Sequence, residues 1–91
     1  MARRISELKP SAFRHGISEE RIRHVVLHAT RLFDVPAHPT IEGSMVLIVG
    51  PDAAGIPLEV MAREGREGRL TVFHAMRMSR RYDALLREQG D

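Results

Sequence analysis

His74, Arg77, Arg80 and Arg81 fall within one short stretch, TVFHAMRMSRRYD (residues 71–83). Imidazole exchanges protons near neutral pH, and guanidinium groups grip phosphate oxygens in pairs, so this set suits phosphate chemistry. The stretch starts with strand-like alternation, and Ser79 then offers an N-cap for a helix over RRYDALLREQ. Two arginines in a first helical turn oppose the macrodipole. The same arrangement becomes favourable once an anion sits among the unpaired amides and guanidinium groups. A phosphodiester is the anion these residues suit.

Glu59 supplies a carboxylate for the histidine. PLEVMARE (57–64) and RLTVFHAM (69–76) alternate about the turn sequence GREG (65–68), which predicts an antiparallel hairpin. A four-residue loop sets Glu64 opposite Arg69. Counting inwards, Arg63 faces Leu70, Met61 faces Val72 and Glu59 faces His74. Glu59, Met61, Arg63, Val72, His74 and Met76 then share one face of the sheet. Leu58, Val60, Ala62, Thr71, Phe73 and Ala75 form the other, the expected floor for helices. A one-residue slip would break this arrangement. A carboxylate against an imidazole fixes its tautomer and suits a general acid or base. As an ordinary cross-strand pair it would contribute only about 0.2–1 kcal/mol. Arg63 on the same face and Arg77 at the strand end favour the catalytic reading.

The remaining elements must hold that hairpin. HGISEERIRHVVLHAT carries a helix start, with Ser18 as N-cap and Glu19 and Glu20 in the first turn. Ile17 and Ile22 have the spacing of a hydrophobic staple, and Ile22, Val25, Val26 and Ala29 make one apolar stripe. RLFDV (31–35) reads as a short strand and VPAHPTIEGS as a loop. MVLIV (45–49) is unbroken and β-branched, as in a strand buried on both faces. GPDAAG (50–55) is a turn, since it lacks the Lys-Ser/Thr ending of a phosphate loop. The expected order is an N-terminal helix, three or four mostly antiparallel strands and a C-terminal helix. This is a single α+β domain over residues 1–91 with one sheet face covered by helix and the other partly open.

Composition narrows the classes. At 43% hydrophobic and 29% charged the chain reads as globular, and its longest apolar run is too short to span a membrane. MARRISELKP has a basic start without the apolar stretch of a secretory leader. Cysteine is absent, which excludes thiolate metal sites and fits a cytoplasmic location. Net charge is only +2, yet every basic residue but Lys9 is arginine. Codon bias can produce such an excess, so position has to decide what the arginines do. His24 and His28 are four apart on a helix without the glutamate of a zinc-helix motif or an evident third ligand, and read as surface histidines. The few aromatics argue against a stacking-type single-strand binder.

RHGIS opening a helix, the central MVLIVG strand and the closing RLTVFHAMRMSRRY together resemble the BrnT-like toxins of bacterial type II toxin–antitoxin systems, which are small RelE-like ribonucleases. The resemblance runs over about residues 13–88 in element order. It implies a metal-independent endoribonuclease that cleaves mRNA and is neutralised by a cognate antitoxin protein. Carried over by position, Arg14 and His15 come from the RHG segment, His74 and Arg77 from the closing strand, and Arg80, Arg81 and Tyr82 from the basic helix start. The resemblance implies neither metal nor cofactor. His74 would be the general acid or base, and the arginines would stabilise charge while the RNA 2′-hydroxyl attacks. The chain departs from the family in opening on RRISELKPSAF instead of an F-x-W/Y-D strand. It also has histidine and methionine where members often have serine and arginine. Two other readings stay open: a non-catalytic RelE/ParE-like domain that binds nucleic acid or a protein target, and a small homo-oligomeric assembly domain.

Overall fold

The computed structural model describes residues 3–35 and 44–78. Strand β1 (Arg4–Leu8) leads through a 3-10 turn (Pro10–Phe13) into helix α1 (Glu19–Leu27). Strands β2 (Arg31–Val35), β3 (Ser44–Pro51), β4 (Pro57–Glu64) and β5 (Arg69–Arg77) follow, with a second 3-10 turn (Arg66–Gly68) between the last two. They form one five-stranded sheet in the order β1-β5-β4-β3-β2. β2 to β5 are an antiparallel meander, and β1 lies parallel to β5.

The fold is α+β, with two corrections to the expected plan. The helix is not the first element, because a strand precedes it. The sheet has five strands rather than three or four, and it is mostly antiparallel as expected, with β1–β5 the one parallel pairing among the described residues. The C-terminal helix expected after Ser79 lies outside the described residues. No helix among the described residues is long and apolar enough to cross a membrane.

Helix α1 forms where its cap and stripe dictate. The Ser18 hydroxyl accepts the Arg21 amide at 3.3 Å, and Glu19 and Glu20 occupy the first turn. Ile17, Ile22 and Val25 are buried against Val46, Ile48, Leu58, Val60, Ala62, Leu70, Val72 and Ala75 of the sheet. The helix packs on β3, β1 and β4. Its exit crosses β3 closely: a Cβ built on Gly50 would stand 3.2 Å from the Ala29 Cα and 3.4 Å from the His28 carbonyl oxygen. Glycine leaves the chain room to pass there, where a side chain would press on the helix exit by a few tenths of an ångström, and Thr30 donates its amide to Val49 at 2.9 Å.

The hairpin register differs from a plain four-residue loop. Glu64 pairs with Leu70 rather than Arg69, and the Gly65 amide closes the turn on the Arg69 carbonyl at 2.8 Å. A β-bulge then falls between Met61 and Ala62, so that Ala62 pairs with Val72 but Met61 with His74, and Phe73 has no partner of its own. The extra residue moves the faces. Leu70 and Val72 enter the helix-side core with Ala75, a spacing of two and then three. Val72 is therefore not on the His74 face, and Thr71, opposite Arg63, is not in the helix floor. The second face is also less open than its alternation implies, since Leu47, Val49 and Glu59 are buried on it.

Asp52 ties α1 to the β3–β4 turn. Its carboxylate accepts the Ile56 amide at 2.8 Å, the Ala54 amide at 2.9 Å and Arg21 Nε at 2.9 Å. The Ile56 hydrogen bond is the largest cause holding its carboxyl below the ordinary value of 3.8, with Arg21 and the Ala54 amide adding to it against the burial. A depressed folded-state pKa means that the unfolded chain binds more protons as pH falls. This contribution is complete well above the unfolded value of 3.8 and is lost as pH drops through the folded pKa. Asp52→Asn is expected to lower the urea midpoint at pH 7 and to flatten the decline as pH falls below the ordinary carboxylate value of 3.8. Parallel acid curves for the two proteins would refute this assignment.

Candidate active site

Glu59 and His74 meet on the second face, as diagonal rather than direct neighbours. Glu59 lies opposite Met76 and His74 opposite Met61. Diagonal positions are within reach of long side chains, and His74 Nε2 donates to Glu59 Oε2 at 3.1 Å. The exposures differ usefully: the Glu59 side chain is 4% accessible and that of His74 is 26%. The carboxylate is enclosed beside Val49, its other cross-strand neighbour, while the imidazole reaches solvent. With Nε2 carrying the proton towards Glu59, the neutral ring has its lone pair on Nδ1. Nδ1 is then the ring nitrogen able to accept a proton.

A second histidine meets the first beside the bulge. β1 stops pairing at Leu8 opposite Val72, and the Lys9 amide donates to the Val72 carbonyl at 2.8 Å. One residue further along β5, the Phe73 carbonyl accepts the Ser11 hydroxyl at 2.7 Å, so the 3-10 turn borders the strand where the bulge lies. Gly16, at φ 77°, reverses the chain towards α1. Beside it, His15 sets its ring edge-on to His74, with centroids 5.5 Å apart and planes at 75°. Two imidazoles and one buried carboxylate thus form a cluster drawn from three separate elements. Such a cluster can give and take protons at adjacent points.

The expected arginines are placed unequally. Arg63 is on the His74 face, two cross-strand rows towards the hairpin end, and half-buried opposite Thr71. Arg77 pairs with Leu58 and therefore alternates onto the helix side, at the sheet margin beside Gly55, Ile56, Pro57 and Met78. The sheet does not bring Arg77 to the Glu59–His74 pair. Arg14 is exposed in the turn next to His15. Arg80, Arg81 and Tyr82 lie outside the described residues.

The weaker metal signal has a structural explanation. The His24 and His28 rings stack obliquely at 4.5 Å, and His24 Nδ1 donates to the Pro51 carbonyl at 3.2 Å. Among the described residues no group of three His, Asp or Glu side chains converges as a metal site requires. Neither the anchoring of α1 by Asp52 nor the hold of the Ser11 hydroxyl on β5 has a local sequence signal. Both contacts join residues far apart in the chain. Compared with protein-family models, with curated proteins and with solved structures, the chain has no significant match in any of the three.

Proposed function

We propose that this protein is a metal-independent endoribonuclease acting on single-stranded RNA, with His74 as its proton-transfer residue. The observation that carries the reading is the hydrogen bond from the partly exposed His74 to the buried Glu59, with the His15 ring beside it. In the proposed step one imidazole takes the proton of a ribose 2′-hydroxyl as that oxygen bonds to phosphorus. The bond from phosphorus to the 5′-oxygen breaks, and the leaving oxygen takes a proton from the other imidazole. The products are a 2′,3′-cyclic phosphate and a 5′-hydroxyl. Arg63 stands on the same face, towards the hairpin end, to hold the RNA backbone beside the reacting phosphate. Glu59 is a positioning residue, because it acts through the imidazole.

On this reading the sheet is a RelE-like scaffold and the protein is the toxin of a toxin–antitoxin pair, held inactive by a cognate antitoxin protein. The motif resemblance supports that context, and the histidine–carboxylate cluster supports the chemistry. The test is incubation of a long RNA with purified protein in EDTA, alongside the same sequence carrying 2′-methoxy groups. Cleavage of the unmodified RNA alone, leaving cyclic phosphate ends, is the expected outcome. Intact RNA with folded protein, or cleavage that EDTA abolishes, would overturn the proposal.

A further inference from the structure

The β4–β5 hairpin end forms an open groove of about 460 Å³ lined by Ser6, Arg63, Glu64, Arg66, Arg69 and Thr71 together with the Gly65 backbone. Three guanidinium groups border one depression. Neither Arg63 nor Arg66 has an ion-pair partner among the described residues, and Arg69 touches only the exposed Glu67, at 3.5 Å. The acid within the groove is already engaged: Glu64 Oε2 lies 2.9 Å from Arg3 Nε, with a second contact to Arg3 at 3.4 Å. Four guanidinium groups therefore stand against two carboxylates. The hydroxyls divide in the same way. Ser6 donates to the Leu70 carbonyl at 3.2 Å, whereas the half-buried Thr71 hydroxyl has no partner among the described residues.

We infer that this groove binds a backbone phosphate of the RNA, the one flanking the phosphate at His74. The inference rests on the ribonuclease reading for the identity of the polyanion and adds a second contact point to it. Arg63 and Thr71 lie two cross-strand rows from Met61 and His74 on the same face, with Ala62 and Val72 between them on the other. Two residues along a strand span roughly 7 Å, so a strand of RNA crossing this face meets the groove next to the histidine cluster. Guanidinium forks and a donor hydroxyl are the groups that position a phosphodiester without reading its bases.

The experiment is a titration of a labelled, 2′-methoxy single-stranded RNA between about 50 and 200 mM salt, comparing wild type, Arg63→Gln and the double variant Arg66→Gln/Arg69→Gln. Arg66 and Arg69 are exposed, so the double variant retains the fold. For each phosphate interaction that a substitution removes, the slope of log affinity against log salt is expected to fall by about 0.7, with weaker binding at the lower salt. Unchanged affinity and slope in both variants would overturn the inference. So would displacement of the RNA by inorganic phosphate at an ionic strength where chloride has no effect, which would assign the groove to free phosphate. Wild type that binds RNA through these arginines without cleaving the unmodified strand removes the ribonuclease reading and leaves the groove standing. Cleavage by wild type with arginine variants that bind equally well removes the groove alone.

Discussion

Replacing His74 by alanine is expected to slow RNA cleavage by about 10²- to 10⁴-fold, the range over which a positioned general acid or base acts, while RNA affinity stays near that of wild type. The side chain is at the rim of the site and not in the helix-side core, so its removal leaves the packing of α1 on the sheet intact. The comparison that separates chemistry from architecture is Glu59→Gln. Glutamine preserves the size of the buried side chain and removes the negative charge that faces Nε2. A smaller loss of kcat is expected, together with a changed pH–rate profile and unaltered binding. If His74→Ala cleaves as fast as wild type, the cluster is an ordinary cross-strand polar contact and the ribonuclease reading loses its support.

The largest effect on stability is expected at Ile22. It is fully buried, and it anchors the single helix among the described residues to the sheet. Shortening it to alanine removes its packing against the sheet and leaves a cavity that the strands beneath cannot fill, at a cost of about 2–5 kcal/mol. A chain of this size is stable by only about 5–14 kcal/mol, so Ile22→Ala loses a large share of its folding free energy. Leu27 lies in the same helix and is 78% exposed. Its alanine variant is expected to stay within about 0.5 kcal/mol of wild type. Urea unfolding of the two variants measures the contrast, and equal midpoints would mean that α1 does not bury its apolar stripe against the sheet.

How much of the structure is legible in the sequence follows from how local each signal is. Ser18, Glu19 and the Ile22–Val25 stripe specify α1 within a few residues, the run at 45–49 announces its strand by composition and that at 57–64 by alternation. β1 is different. Its apolar residues, Ile5 and Leu8, are three apart because Ser6 is the irregular position of the parallel pairing, so the period of two is broken. Its partner is also at the far side of the chain. The Phe73 bulge misleads for the same reason: alternation on either side is sound, but the face changes across it. Glu59 and His74 still meet because both keep the parity of the second face, although the row that joins them is diagonal rather than direct. The His15–His74 contact has no local signature, since it depends on where a 3-10 turn settles along β5.

The parallel edge pairing bears on when the site comes into being. Ser6 and Leu70, joined by a hydrogen bond, are 64 residues apart in sequence, and the 3-10 turn that leads to His15 docks on β5 immediately beyond. The β2–β5 meander can assemble from neighbouring hairpins, but closing β1 onto β5 requires a loop that spans most of the described chain, a slow and late event. During synthesis the first strand must wait for the last of these strands to emerge. His15 and His74 come together only then, so on the proposed ribonuclease reading the step that uses both imidazoles waits for the completed sheet.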